Sequence, residues 1–567
     1  MLTAIKENLA LEMASELGIP VEKVVQLFEI PRELNHGHLS VPVFFLAKER
    51  KKAPPVLAKE ISQKLLTKKI PSVERFEPVG GYINIHLNAE HLFKSLFREV
   101  QTAGEHLGHS RSGLGQTVVI DYSSPNVAKP MHVGHLRATV IGQAIRNLAE
   151  TQGYKVIGLN HLGDWGVQFG KLAYAYELWG KEYPFATEPF ESLFKLYVRF
   201  HEEAEKNPEL EKQGSLTFKR LEEGDKELHK LWKMFVEISL KDFDRLWRRL
   251  GVKHDLVRGE SFYNDRLKAT EDLLENKGLL VESEGAMVVD LQDEKIPPCL
   301  IRKSDGASLY ATRDLASAIY RMEELKANLN LYVVGADQAL HFKQVFSVLR
   351  RLGFSWWDKC HHIGFGMYRF KDLGKMSSRK GQMIRLEDLL ERAVEIVRGI
   401  MQEKNPNLAD REKVAVQVAI GAIVFNDLVN DRVRDVEFDW DKALSFEGDS
   451  GPYIQYVYVR CQSILHKYGK GLPQEVVALR SDEERELIKT LLRYEGVLKE
   501  SFKNFKPSIL AIYLLDVCAA FNKFYHEHKI IGGEAEFESS RIGLVYVTQQ
   551  VIRSGLGVLN MQAPEAM

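Results

Sequence analysis

Apolar positions recur every three to four residues along most of the chain, and only in a few short stretches do they run without a break. The clearest such stretch is Val118-Val119-Ile120, which predicts a buried strand. Leu136, Val140, Ile141, Ala144, Ile145 and Leu148 follow at helical spacing until Gly153 stops them, and a second apolar run spans about Val156 to Leu159. That is a strand-helix-strand unit. In such units the loop at the carboxyl end of the first strand faces a ligand crevice, and the helix start offers unpaired N–H groups to anions. His132, Gly134 and His135 stand at this helix start. Two imidazoles three residues apart can approach one anion together, and Gly134 lets a base or ribose lie against bare backbone.

The same pattern divides the rest of the chain. Residues 1–110 read as a small α+β domain with an amphipathic opening helix, a second helix near Leu57 to Leu66, and the alternating stretch Tyr82 to Asn88. There Ile83, Ile85 and Leu87 face one way and Asn84, His86 and Asn88 the other, which predicts a half-exposed strand whose polar face, beside Lys48, Arg50, Lys51 and Lys52, can meet a phosphate backbone or simply water. A glycine-rich linker follows, from Gly104 to Gly115. Residues 116–400 carry an α/β, doubly wound parallel-sheet (Rossmann-like) pattern, interrupted by a helical insertion at about 175–290 in which Leu228, Leu231, Trp232, Phe235, Phe243, Leu246 and Leu250 form a packing stripe. Further strands are expected near Met287 to Leu291, Cys299 to Arg302, Leu331 to Gly335 and Ile363 to Met367. Residues 405–567 read as all-helical, including one helix over Asp482 to Leu498.

Composition narrows the function classes. With 567 residues, 45% of them hydrophobic and 27% charged, the chain has material for several cores, and no unbroken apolar run of about 20 residues predicts a membrane span. The opening helix carries Glu7 and Glu12, unlike a targeting peptide, so a cytoplasmic location is expected. A formal net charge of −1 means that any polyanion site is a local patch. Cys299, Cys360, Cys461 and Cys518 have no metal-ligand spacing and read as reduced core thiols. Asn160-His161 with Asp164 and Gln168 lacks a third ligand at convincing spacing, so no protein-held metal is expected.

His132-Val-Gly-His135 and, beyond the last strand, Lys375-Met-Ser-Ser378 resemble the two signatures of class I aminoacyl-tRNA synthetases. Ser124-Pro-Asn-Val-Ala-Lys-Pro-Met-His-Val-Gly-His-Leu-Arg137, Asn160-His-Leu-Gly-Asp-Trp-Gly-Val-Gln-Phe-Gly170, Gly335-Ala-Asp-Gln338 and Gly451-Pro-Tyr-Ile-Gln-Tyr456 are similar to the arginyl-tRNA synthetases in particular, a resemblance that covers nearly the whole chain. It implies ATP-dependent formation of arginyl-adenylate, then transfer to the 3′-terminal ribose of tRNA, with activation requiring bound tRNA. By this resemblance ATP meets His132, Gly134, His135, Gly335, Asp337, Met367, Lys375 and Met376, with Lys375, Ser377 and Ser378 in a closing loop hinged at Gly374 and Gly381. The family motif ends in Lys where this chain has Ser378; the resemblance assigns the missing ammonium to Lys129, with Arg379 and Lys380 as rivals.

Recognition of arginine calls for a carboxylate that accepts two donors of a guanidinium. The resemblance gives this role to Asp314, with Tyr310 one helical turn before it, Gln338 beside them, and Asp121 and Asn126 at the α-amino and carboxylate end. For tRNA it implies contacts at Tyr453, Tyr456, Asn522, Tyr525 and Met567 in a C-terminal anticodon-binding domain, and an N-terminal domain on the tRNA elbow. Mg²⁺ is expected to arrive with ATP, and a monomer is expected. A related nucleotidyltransferase acting on another acid, and a tRNA-binding paralogue without catalysis, are the competing readings.

Overall fold

In a computed structural model, the structure describes residues 2–31, 36–303, 310–370, 384–474, 476 and 479–567. The N-terminal region combines helices Leu2–Leu17, Pro54–Leu66 and Ala89–Ala103 with a three-stranded antiparallel sheet in the order Leu39–Pro42, Tyr82–Leu87, Val73–Val79, on which Pro54–Leu66 packs. Tyr82–Leu87 is therefore the central strand. Its Asn84 and His86 are buried rather than exposed, because neighbouring strands supply their partners: Ser40 Oγ donates to Asn84 Oδ1 at 2.8 Å, and His86 Nε2 meets Glu77 Oε2 at 2.8 Å. The polar face expected to meet phosphate or water is an internal hydrogen-bonded layer.

Five parallel strands form the central sheet: β1 (Thr117–Asp121), β2 (Lys155–Asn160), β3 (Leu256–Val257), β4 (Leu329–Tyr332) and β5 (Cys360–His362), in the order β5-β4-β1-β2-β3. Val118, Val119 and Ile120 are fully buried, as a continuous apolar run in a strand covered on both faces requires. Strand order reverses at β1, so the crevice lies outside the carboxyl ends of β1 and β4, where Asp121 pairs in register with Tyr332. Helix α1 (Val133–Thr151) leads from β1 to β2 and buries Leu136, Val140, Ile141, Ala144, Ile145 and Leu148.

Two strand expectations change. Ala286–Val289 and Cys299–Arg302 join Leu280–Ser283 in a separate antiparallel sheet rather than the parallel one. The run Ile363 to Met367 is not a strand; β5 ends before it, and Tyr368–Phe370 beyond it pairs with Val436–Phe438.

Between β2 and β3 lie helices Val167–Trp179, α2 (Pro189–Lys206), Glu209–Glu222 and α3 (Lys226–Arg249). Leu228, Phe235, Phe243 and Leu246 on α3 are buried, as the stripe predicts. Helix α4 (Tyr310–Ile319) continues as a π-helical turn, Tyr320–Glu324, and α5 (Ala339–Leu352) follows β4.

The C-terminal region is helical, with α6 (Arg411–Leu428), α7 (Gly451–Tyr468), α8 (Asp482–Leu492), α9 (Tyr494–Lys503), α10 (Pro507–Glu527) and α11 (Ala535–Val558). The single helix expected from 482 to 498 is two. Tyr513 of α10 donates its hydroxyl to the carbonyls of Thr490 and Leu491, at 3.1 and 3.4 Å, at the point where the ladder breaks. α10 is long and apolar enough to cross a membrane by length and composition, with a hydropathy of 1.3, yet Leu510, Leu514, Val517, Cys518, Phe521 and Phe524 on it are fully buried among its neighbours.

Candidate active site

The crossover from Asp121 to His135 is held in an unusual backbone. Ser123, Ser124 and Ala128 all have positive φ, at 77°, 45° and 64°, a concentration of strain that surrounding contacts must enforce. Trp247 Nε1 on α3 donates to Ser123 Oγ at 2.9 Å, Thr139 Oγ1 on α1 donates to the same oxygen at 2.9 Å, and the Ala128 N–H donates to Ser239 Oγ on α3 at 3.0 Å. The helical insertion therefore fixes the loop. Asn126, Lys129 and Gly134 are left exposed at its rim.

His132 caps α1. Its Nδ1 accepts from the Gly134 N–H at 3.0 Å, and His135 Nδ1 accepts from the His132 N–H at 3.1 Å. A side chain at Gly134 would put its Cβ 2.7 Å from the His132 ring, so the glycine makes room for the capping imidazole. The two caps decide the tautomers: with both Nδ1 atoms accepting, each neutral ring carries its proton on Nε2. Burial, with Lys129 nearby, holds His132 below the ordinary imidazole range, and burial, with His132 beside it, pushes His135 down to about 3. Near pH 7 the helix start thus presents two neutral Nε2–H donors, with ring centroids 3.9 Å apart. Lys129 Nζ lies over the Tyr197 ring of α2, 5.1 Å from its centroid, and among the described residues no carboxylate lies within ion-pair distance of it.

Across the crevice, α4 carries Tyr310, which is exposed, and Asp314, which is partly buried. Asp314 Oδ2 meets His341 Nε2 of α5 at 2.5 Å. Gln338 immediately precedes α5 as its N-cap residue and is exposed. Asp121 is almost wholly buried: its Oδ1 accepts from Ser124 Oγ at 2.9 Å and its Oδ2 from Arg321 Nη2 at 2.8 Å. Both oxygens already have partners within the chain.

Gly335 lies beside Phe365 in a parallel bridge, which brings Gly335, Asp337 and the segment before Met367 together. A Cβ on Gly335 would come within 2.4 Å of Asp337 Oδ1. The Met367 N–H donates to Asp435 Oδ1 at 2.8 Å and its carbonyl accepts from the Val436 N–H at 2.9 Å, which leaves the carbonyl a second lone pair, and the side chain is exposed. Lys375, Met376, Ser377, Ser378, Arg379 and Lys380 lie outside the described residues. The chain resumes against the first signature, with the Val133 N–H donating to the Ile384 carbonyl at 3.1 Å and the Leu386 N–H to the Met131 carbonyl at 2.9 Å. Arg137 of α1 ties these parts together: its Nε meets Asp427 Oδ2 of α6 at 3.0 Å, and its Nη1 donates to the carbonyls of Gly366 and Arg434. Asp164 accepts from the N–H and hydroxyl of Ser261, and among the described residues no three His, Cys, Asp or Glu side chains gather as a metal site.

In the helical region, Tyr453, Tyr456, Asn522 and Met567 line one cavity of about 860 Å³, with Arg460, Trp440 and Phe446. Arg460 donates to Asn522 Oδ1 at 2.8 Å and to the Tyr456 hydroxyl at 3.1 Å, and lies over the rings of Tyr456 and Tyr525. Phe521 and Phe524, in the same aromatic run, are core residues.

The chain matches three family models in sequence order: an arginyl tRNA synthetase N terminal domain over residues 3–87, the tRNA synthetases class I (R) catalytic domain over 99–440, and a DALR anticodon binding domain over 454–567. It is 46% identical to the arginine–tRNA ligase of Exiguobacterium sibiricum and 44% identical to arginine–tRNA ligase 1 of Bacillus thuringiensis, over 96% of both chains in each case. The chain belongs to the arginyl-tRNA synthetase family. Its fold agrees: the arginyl-tRNA synthetase of Thermus thermophilus superposes with a TM-score of 0.84 at 26% identity over the whole of both chains, and that of Plasmodium falciparum with 0.80 at 25% over 99% of each.

Four residues in or beside these candidate sites are not singled out by the sequence. His341 is three residues past Gln338, and Arg460 is one turn past Tyr456, so spacing alone offered both. Arg137 closes the quoted signature, and only its burial reveals that it binds three segments. Arg321 carries no local signal, because its partner is 200 positions away.

Proposed function

We propose that the chain joins arginine to its tRNA as follows. A carboxylate oxygen of arginine attacks the α-phosphorus of ATP, the bond to the β-phosphate breaks, and pyrophosphate leaves; a hydroxyl of the 3′-terminal ribose then attacks the acyl carbon and AMP leaves. In-line displacement asks little covalent help of a protein, so positioning and charge complementarity carry the rate. His132 and His135 donate Nε2–H to phosphate or ribose oxygens, Lys129 supplies the ammonium that Ser378 does not, and Lys375, Met376, Ser377 and Ser378 close over the triphosphate. Gly335, Asp337 and the Met367 backbone receive the nucleoside. Asp314, Tyr310 and Gln338 hold the guanidinium, and Asp121 and Asn126 the α-amino and carboxylate end. Mg²⁺ travels with the ATP phosphates. Tyr453, Tyr456, Asn522, Tyr525 and Met567 meet the anticodon loop, the N-terminal 110 residues the elbow, and activation requires bound tRNA. The enzyme acts as a cytoplasmic monomer.

The observation that carries this reading is the capped pair His132–His135, two neutral donors at one helix start facing the crevice in which α4 presents Asp314. Amino-acid-dependent ATP–pyrophosphate exchange, with and without tRNA, tests it. Exchange with arginine only when its tRNA is present is expected; exchange with another amino acid, or none at all, overturns the reading.

A further inference from the structure

Helix α4 and the π-helical turn that continues it carry Tyr310, Asp314, Ser317 and Arg321 at spacings of four, three and four residues, which brings them towards one face. This element is pinned at two points, one to helix α5 and one to the sheet. At one, Asp314 meets His341 of α5 at 2.5 Å. At the other, Arg321 Nη2 donates at 2.8 Å to Asp121 Oδ2 at the end of β1, with both side chains almost wholly buried at 1% and 6% exposure. The Arg321 guanidinium also lies 4.8 Å over the ring of Tyr332, the residue that pairs with Asp121 across β4 and β1.

Arg321 falls in the π-helical turn, closed by the Leu325 N–H donating to the Tyr320 carbonyl at 3.1 Å. An extra residue in a turn redirects the side chains around it and is favoured where a side chain must be aimed. Removing one partner of a buried ion pair leaves an uncompensated charge, so the Arg321–Asp121 contact resists adjustment. Asp314 and Arg321 are seven residues apart, about 10 Å of helical rise.

We propose that α4 and its π-turn act as a ruler for the length of the amino-acid substrate, with Arg321 a positioning residue that acts through Asp121. This rests on the reading of Asp314 as the guanidinium end and Asp121 as the α-amino end of the pocket. One rigid element then fixes the separation of the two carboxylates that hold the ends of arginine. Homoarginine, longer by one methylene, brings its ammonium to the wrong place when its guanidinium sits on Asp314. A lysine at 321 keeps a positive charge but loses the planar group over Tyr332 and part of the reach, so Asp121 gains freedom.

The test is ATP–pyrophosphate exchange with tRNA present, comparing arginine and homoarginine in the wild type, Arg321→Lys and Arg321→Gln. For Arg321→Lys the KM for arginine is expected to rise about tenfold and the preference for arginine over homoarginine to fall about tenfold, the scale of one methylene in a binding site. The KM for ATP should stay within about twofold, since no ATP contact changes. Arg321→Gln should be worse for arginine than Arg321→Lys. Folded variants with unchanged discrimination overturn the ruler, as do variants in which the KM values for ATP and arginine rise in parallel. Should Arg321→Gln not fold, Arg321→Lys decides alone. A wild type that does not activate arginine refutes the underlying reading instead, so the two failures are distinct.

Discussion

At the scale of single residues, the two signature histidines do two jobs with two nitrogens. Nδ1 caps α1, and Nε2–H has no partner among the described residues. Asparagine reproduces the Nδ1 acceptor and lacks the far donor, so His132→Asn separates the jobs. It is expected to slow pyrophosphate exchange by about 10²–10³-fold, the cost of one positioned donor. Thermal unfolding of His132→Asn should match the wild type, whereas His132→Ala should lose about 1 kcal/mol with the cap. A normal exchange rate in His132→Asn would remove the donor role. Lys129 poses a different question, because its ammonium rests on the Tyr197 ring rather than on a carboxylate. Such a contact is worth only about 0.5–1 kcal/mol at an exposed site, weak enough for the ammonium to leave it for a phosphate. Lys129→Ala should therefore slow adenylate formation while arginine and tRNA still bind; an unchanged rate in single-turnover measurements would shift the role to Arg379 or Lys380.

At the scale of elements, the chemistry depends on how closely α1 lies against the end of β1. A Cβ at Gly142 would come within 2.2 Å of Tyr122 Cβ, and Tyr122 is fully buried and hydrogen-bonded to Gln143. Gly142→Ala has no room and should push helix and crossover apart, at about 1–3 kcal/mol for an overpacked core. Both the midpoint of chemical unfolding and the rate of exchange should fall; a variant that keeps both would show that the crossover tolerates a shifted helix. The pairing of β1 with α1 was legible because one apolar run and one period-3.6 stripe meet at a capping residue. Central and peripheral strands were not separable that way. Cys299–Arg302 is as apolar as β4, and only long-range pairing puts it in another sheet. The alternation in Tyr82–Leu87 predicts a strand, which it is, and a half-exposed one, which it is not, since a period of two reveals two faces but not what covers the polar one. The histidines stood out by residue type and spacing, and Asp314 through the family resemblance; His341, which meets Asp314, and Arg321, which meets Asp121, became visible only when the chain was folded.

At the scale of the whole molecule, the N-terminal region packs on the C-terminal helices, where Phe93 and Phe97 of Ala89–Ala103 lie against Gly543 of α11 and Phe97 meets Tyr546 with ring centroids 6.0 Å apart. His38 sits near the same junction. Its Nδ1 accepts from the Leu87 N–H at 3.0 Å, and burial pushes it down to about 4, with Lys489 and Arg485 of α8 and His86 of its own sheet lowering it further. The sign follows from linkage. Below pH 6.5 the unfolded chain binds a proton at this residue that the folded chain refuses, so the stability present above pH 6.5 is lost progressively as pH falls towards 4. His135 and His254, pushed down to about 3 and about 4 by burial, act in the same sense. Each contributes a slope of about 1.4 kcal/mol per pH unit inside its window. His38→Asn keeps an acceptor for the Leu87 N–H and cannot titrate. Denaturant unfolding measured from pH 7.5 to 4.5 should therefore show an acid limb in the wild type that is shallower by about one proton in His38→Asn, with the two curves meeting above pH 7. The difference should appear first in the separation of the N-terminal region from α8, because the added charge arrives beside Lys489 and Arg485 and is repelled there. A fluorescence or proteolysis probe confined to residues 1–110 would then report the wild type opening at a higher pH than the variant, and superimposable curves would mean that His38 is protonated without cost.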